Sequence, residues 1–133
     1  MARLILDTGV LIAGVRGKLD LDVFPEQDDA ALAAVSLAEY LTGVLLDPDP
    51  GRRAAQRAFL SDVLVTVPVE DYTTTVAEHH AELLAHTRRD GTPRGAHDLI
   101  IAATARATGR TLLTTDAQAR FGDLPGVTAR VVQ

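Results

Sequence analysis

Cysteine and tryptophan are absent from the chain, lysine occurs once, at Lys18, and the aromatic residues are two tyrosines and three phenylalanines. Without cysteine there is no disulfide and no thiolate metal site. With so few rings the core has to be aliphatic and alanine-rich, so its elements pack closely. No apolar run approaches the roughly 18 residues that a membrane span requires. The apolar start is broken by Asp7 and carries no small-residue cleavage site, so it does not read as a secretory signal, and a cytoplasmic protein is expected. An excess of positive charge is missing too: 18 acids face 13 cations, for a net charge of −5. That argues against a protein whose main task is to hold nucleic acid by bulk electrostatics, without excluding a nuclease. All the cations but Lys18 are arginine, whose planar guanidinium is the better fork for phosphate or carboxylate.

What is present suffices for one folded unit. At 133 residues and 47% hydrophobic content, the chain reads as a single globular domain over 1–133. A domain near this size buries roughly 68–70% of its unfolded surface. "RLILD" (3–7) is apolar without alternation, the pattern of a parallel strand covered on both faces. "TGVLIAGVRG" suggests a short helix ended by Gly17, and 18–29, with five acids and a proline, reads as loop. "AALAAVS" (30–36) is taken as a strand, followed by a helix with Ser36 at its start. A helix over 51–62 follows the breakers in "DPDPG", and the β-branched "VLVTVPV" (63–69) reads as a strand with Pro68 at its end. A long helix over 70–90, a loop over 90–95 and a helix over 96–108 stopped by Gly109 come next. "TLLTT" (111–115) and "VTARVV" (127–132) are the last strands. Strands alternating with helices predict an α/β fold, a three-layer α/β/α sandwich around a mainly parallel sheet.

In a parallel sheet all strand C-termini lie on one edge, helices feeding a following strand start there, and ligands bind there. Asp7 ends the first strand, Glu39 falls in the first turn of the helix after "AAVS", Asp98 in the first turn of the helix feeding "TLLTT", and Asp116 follows that strand. Each has a structural role available. Asp7 suits an Asx turn, Ser36 and Glu39 match a capping box, Asp98 complements a helix dipole, and Asp116 caps "AQARF". Together they are harder to dismiss. Like charges clustered on one edge persist at neutral pH only if some protonate or a cation joins them. An all-oxygen donor set is what Mg²⁺ or Mn²⁺ prefers.

The Asp-Thr-Gly of "LILDTGV" is also the aspartic-protease signature, but those enzymes are built almost wholly of strands and need a second copy. Read in order and context, "LILDTGVLIAG", "AAVSLAEYLTGV", "HDLIIAATARATGRTLLTTD" and "TTDAQARFGDLPGV" resemble the PIN domain, specifically the VapC toxins of bacterial type II toxin–antitoxin systems. The resemblance covers essentially the whole chain and is most specific in its final third. It implies a metal-dependent endoribonuclease that cleaves cellular RNA to inhibit translation and growth. In it Asp7, Glu39, Asp98 and Asp116 are the catalytic acids and ligate Mg²⁺ or Mn²⁺, a metal-activated water attacks the scissile phosphorus, and Thr114 matches an accessory hydroxyl. It also implies a VapB-type antitoxin, commonly placing an arginine in the acidic site, and a homodimer. Two departures stand out: Gly9 occupies a position where many members carry Ser or Asn, and no further acid lies close beyond Asp116.

Other residues invite weaker readings. His79, Glu82 and His86 fall near one helix face, but their spacing misses the HExxH zinc pattern. His97 adjoins Asp98, and an adjacent helical residue is expected to point elsewhere. Arg88, Arg89 and Arg94 flank the loop leading to Asp98, either as a positive lip for RNA or as a solvated helix end. Two rival functions remain. One is a non-catalytic acidic α/β interaction module whose four acids are caps, which divalent-metal binding would separate from the nuclease. The other is an Asp-nucleophile phosphatase, which wants a second Asp beside Asp7 or a late lysine, and Lys18 is the only lysine.

Overall fold

The computed structural model describes residues 2–21 and 29–132. Five strands, β1 (Arg3–Leu6), β2 (Asp29–Ala33), β3 (Val69–Glu70), β4 (Thr111–Thr114) and β5 (Ala129–Val131), form an all-parallel sheet in the order β3-β2-β1-β4-β5. The helices are α1 (Thr8–Val15), α2 (Ala34–Leu46), α3 (Pro50–Thr66), α4 (Thr74–Asp90) and α5 (Ala96–Thr108), with 3-10 turns at Ala117–Ala119 and Phe121–Asp123. Alternation along the strands divides the core. Leu4, Leu6, Leu32 and Leu113 pack with Val10, Leu11, Tyr40, Val44 and Leu60 of α1 to α3. Ile5, Ala33 and Leu112 pack with Val76, Leu83, Leu99, Ile101 and Phe121 on the other face. The result is the expected three-layer sandwich. Connections run outward from β1 through β2 to β3 on one face, then return on the other to β4, so the order reverses between β1 and β4. None of the helices among the described residues is long and apolar enough to cross a membrane.

Three expectations need correction. The strand over 63–69 does not form: α3 continues to Thr66 and β3 keeps only Val69 and Glu70. Leu60 is buried, Phe59 and Val63 pack beside it on one helical face, and Val67 packs against the same cluster just beyond the helix, so burial overrides the β-branched preference. Asp49 starts this helix by accepting from the Gly51 amide at 2.8 Å, Pro50 takes its first turn, and Val67 is already extended ahead of Pro68. The second strand is shorter than 30–36 predicts, because α2 begins at Ala34. Ser36 therefore lies inside the helix, fully buried, with no partner for its hydroxyl, and the capping box is not formed. The long helix begins at Thr74 rather than 70, where the Thr73 hydroxyl accepts from the Val76 amide. By contrast α5 spans 96–108 as predicted and ends at Gly109, whose φ of +65° suits glycine. Of the acidic loop 18–29, residues 22–28 lie outside the described residues.

Arg110 enters β4 as the buried cation that ties the sheet together. Its Nη1 donates to the carbonyls of Leu4 (3.1 Å) and Asp29 (2.8 Å) and to Asp29 Oδ1 (3.0 Å), and its Nη2 donates to Glu70 Oε1 (3.0 Å). One side chain, 4% exposed, thus joins β4 to β1, β2 and β3. Replacing it with leucine strands those carbonyls, and we expect Arg110→Leu to lower stability by about 1–3 kcal/mol, the cost of leaving a buried acceptor unsatisfied. Urea denaturation checks this; an unchanged midpoint would show that the staple is dispensable.

Candidate active site at the reversal of strand order

The register Leu6↔Leu113 carries the β1–β4 ladder to its C-terminal end, where the Asp7 amide donates to the Leu113 carbonyl at 2.8 Å. Asp7 then leaves the sheet with extended backbone and caps α1, its Oδ1 accepting from the Thr8 amide at 2.8 Å. Its other oxygen accepts from the Thr114 hydroxyl at the end of β4, also at 2.8 Å. The Thr114 hydroxyl in turn accepts from the Asp116 amide at 3.0 Å, and Asp116 Oδ1 caps the next turn by accepting from the amides of Gln118 and Ala119. On the other side the Thr8 hydroxyl donates to Glu39 Oε1 at 3.0 Å. Threonines on both sides of the crevice thus link Asp7 to the elements carrying Glu39 and Asp116. The capping role expected of Asp116 is real, whereas Asp7 caps α1 instead of closing an Asx turn, and both bonds hold the carboxylates at this edge.

Glu39 sits in the second turn of α2, not the first, because the helix starts two residues ahead of Ser36. It still reaches the edge. Asp98, in the first turn of α5, completes the group. Burial pushes the Asp7 carboxyl above the usual carboxylate range, against the hydrogen bonds from Thr114 and Thr8, and the charges of Asp98 and Glu39 push it further. Asp98 is raised by burial and by Glu39 and Asp116, with Arg94 and His97 opposing. The four acids therefore share one electrostatic site. Among the described residues no three His, Cys, Asp or Glu side chains already converge tightly enough to hold a metal ion. The donor set nevertheless fits a hard divalent cation: it is all carboxylate and hydroxyl oxygen, and two of its acids carry a repulsive cost that a cation would remove. Asp7 keeps lone pairs beyond its two hydrogen bonds, so those bonds do not close it to a ligand.

The weaker candidates separate. His97 does not point away: its Nδ1 lies 3.4 Å from Glu39 Oε2. Arg94 donates through Nη1 to the carbonyls of Ala119 and Arg120 and stands near Asp98, whereas Arg88 and Arg89 lie exposed in the last turn of α4. Glu82 pairs with Arg106 instead of joining His79 and His86. Gly9 has a spatial reason: a Cβ there would meet Thr115 Oγ1 at 2.5 Å, so Thr115 occupies the room that a Ser or Asn side chain would need. Sequence reasoning missed Thr8, although a hydroxyl directly after a helix-capping acid was a usable signal. It also missed Arg120, whose φ of 52° is rare for a residue with a side chain and costs about 1–3 kcal/mol.

The PIN domain sequence profile matches residues 4–125 of this chain. The chain is 29% identical over 111 residues to a protein called ribonuclease VapC from Rickettsia bellii, an alignment covering 84% of this chain and 83% of that one. The fold superposes on VapBC2 from Rickettsia felis bound to a DNA fragment from its promoter with a TM-score of 0.88, at 20% identity, covering 98% of this chain and 99% of the other. It superposes on VapBC-5 from Mycobacterium tuberculosis, a member of the VapBC family of toxin–antitoxin systems, with a TM-score of 0.78 at 28% identity, covering 100% of this chain and 99% of the other.

The raised acids set a pH signature. An acid whose folded pKa lies above its unfolded value of 3.8 destabilises the fold once pH exceeds that value, and the cost is complete above the raised pKa. Asp98→Asn should therefore raise Tm at pH 7, and the gain should shrink and vanish as pH falls well below 3.8, where both forms are neutral. Thermal melts across that range check it. A gain that persists unchanged in acid would place its origin elsewhere.

Proposed function

The chain belongs to the PIN domain family, and on that premise we propose that it is a metal-dependent endoribonuclease, the toxin of a toxin–antitoxin pair, acting as a single domain in the cytoplasm. Its catalytic acids and metal ligands are Asp7, Glu39, Asp98 and Asp116. The observation that carries this reading is the placement of Asp7, Glu39, Asp98 and Asp116 around the reversal of strand order, with Asp7 buried and Asp98 half-buried, close enough for their charges to act on one another. A device built only to cap helices has no use for that mutual repulsion, which disfavours the non-catalytic module. Bound Mg²⁺ or Mn²⁺ would supply an activated water and offset charge on the phosphodiester in its transition state.

The protein's own groups do the positioning. Thr114 fixes Asp7 through one oxygen and the Asp116 backbone through its lone pair, so both acids keep their place relative to β4. Thr8 holds Glu39 from the opposite side. Arg94 brings positive charge to the rim beside Asp98, where it would offset the acids that an RNA phosphate meets. Exposed Arg88 and Arg89 would extend that lip along the substrate. A VapB-type antitoxin is the expected partner, supported by the toxin–antitoxin system to which the Mycobacterium tuberculosis neighbour belongs. An arginine from such a partner would neutralise the acids in place of the metal. A homodimer is proposed on the family likeness, and Leu45, Leu46 and Val65, all strongly exposed, offer apolar surface for protein contacts.

Incubation of purified, antitoxin-free protein with a mixed cellular RNA pool, with Mg²⁺ or Mn²⁺ and with EDTA, tests the reading. Discrete fragments that require both metal and Asp7 are expected, and Asp7→Asn or Asp98→Asn should lower the rate by at least about 100-fold, the upper end of what losing an outer-shell partner costs. Thr114→Val should cost about 10–100-fold, because the acids remain while the hydrogen bond that orients Asp7 is lost. The same metals should raise Tm in the wild type by mass action and much less in Asp98→Asn. Metal binding without any RNA cleavage would sink the ribonuclease assignment, and absence of both would return the acids to capping alone.

A further inference from the structure

Beside the four acids, the C-terminal end of α4, the loop after it and the two 3-10 turns enclose a hollow of about 440 Å³ with Asp98 in its wall. Of the four acids Asp98 alone lines it, so the hollow meets the acidic edge at that residue, and its size suits a small ligand rather than a duplex. Three features keep it open. Arg94 Nη1 donates to the carbonyl of Ala119 and, at 3.0 Å, to that of Arg120, clamping the loop before α5 to the 3-10 turns. Arg120, the pivot between those turns, is held at a φ of 52° and pairs with Asp123 at 2.9 Å. Gly95, at a φ of −59° that any residue adopts, leaves space where a Cβ would stand 3.2 Å from Asp98 Oδ2. Steric and conformational freedom are thus given up at three positions around one cavity, next to the carboxylates.

Its chemistry is equally specific. Arg94 and Arg120 bring guanidinium planes, which suit phosphate oxygens and the faces of unstacked bases. Gln118 offers an amide donor and acceptor for a base edge, and Pro93 and Leu124 offer apolar walls. The Arg120–Asp123 pair is exposed and holds Arg120 only weakly, so a phosphate can compete for it.

We propose that this hollow is a nucleotide subsite, holding the nucleotide that adjoins the scissile phosphate of a single-stranded RNA and selecting its base through Gln118 and its phosphate through Arg94 and Arg120. The identity of the substrate rests on the ribonuclease reading; the binding chemistry does not. The test is therefore binding first. The four ribonucleoside 5′-monophosphates are titrated into the full chain without metal, followed by amide chemical shifts. Saturable shifts at residues lining the hollow are expected, with a several-fold preference for one base. Gln118→Ala should flatten that preference. Arg120→Gly, which keeps the positive φ and removes the guanidinium, should weaken all four nucleotides about tenfold, equivalent to 1.4 kcal/mol. On an RNA pool, Gln118→Ala should broaden base choice next to the cut, and Arg120→Gly should raise KM far more than it lowers kcat. No nucleotide binding, or binding and cut-site choice indifferent to both substitutions, overturns the proposal. Nucleotide binding that responds to both substitutions while the wild type cuts no RNA keeps the subsite and rejects the ribonuclease reading.

Discussion

The placement of β1 between β2 and β4 is the constraint on which the rest depends. Because the connections run one way from β1 and then return to its other side, the crevice between β1 and β4 is left open at the C-terminal edge. Asp7 stands at that crevice in two capacities. Its amide continues the ladder to Leu113 and its carboxylate receives the Thr114 hydroxyl, so the residue that finishes the sheet also presents the acid. The acid cannot drift without disturbing the pairing of the central strands. Reactive groups held on strand and helix ends in this way keep their geometry better than groups on free loops.

The two regions where charge is buried are managed in opposite ways. At the start of β4 the Arg110 guanidinium meets carbonyls and the carboxylates of Asp29 and Glu70, and it holds the Asp29 carboxyl below its ordinary range. At the end of β4 no cation among the described residues is buried against Asp7, and the carboxyl is raised instead. The same residue type, in one sheet, thus shifts in opposite directions according to its neighbours. The first arrangement stabilises the fold at neutral pH, whereas the second weakens it there. Stability is conceded locally at the acidic edge and recovered in the two aliphatic core layers and at Arg110, the usual relation between a reactive site and its scaffold.

How much of this could be read from residues alone depended on whether one segment carried the signal. The apolar run at 3–7 read as a buried parallel strand and the one at 111–115 as a strand, and Gly109 marked the end of α5 because a left-handed cap favours glycine. The acidic edge was legible because the topology of a parallel sheet places strand ends and helix starts together whatever lies between. The run from Val63 to Val69 misled because Val63 shares a buried helical face with Phe59 and Leu60, so α3 runs on to Thr66 and leaves Val65 exposed. Ser36 and Glu39 misled for a related reason: the capping pattern was present, but α2 began earlier at Ala34 with no side-chain cap. The Thr8–Glu39 bond and the contact of His97 with Glu39 join residues far apart in the chain, so no spacing rule announces them.

Gly9 and Gly95 show why a glycine needs three dimensions to interpret. Neither has a left-handed backbone, so neither is required by conformation. Within a helix glycine is worse than alanine by roughly 0.5–1 kcal/mol, and Gly9 lies inside α1. The compensating reason is clearance. A Cβ at Gly9 would strike the Thr115 hydroxyl, and one at Gly95 would crowd the Asp98 carboxylate. The two positions flank the acidic edge from opposite sides, one on the helix after β1 and one at the start of α5. At Gly9 the room is taken by Thr115, and at Gly95 it is left to the Asp98 carboxylate. Each glycine thus lets a neighbouring polar side chain, Thr115 or Asp98, pack against the backbone beside the acidic edge, a reason that no sequence pattern states.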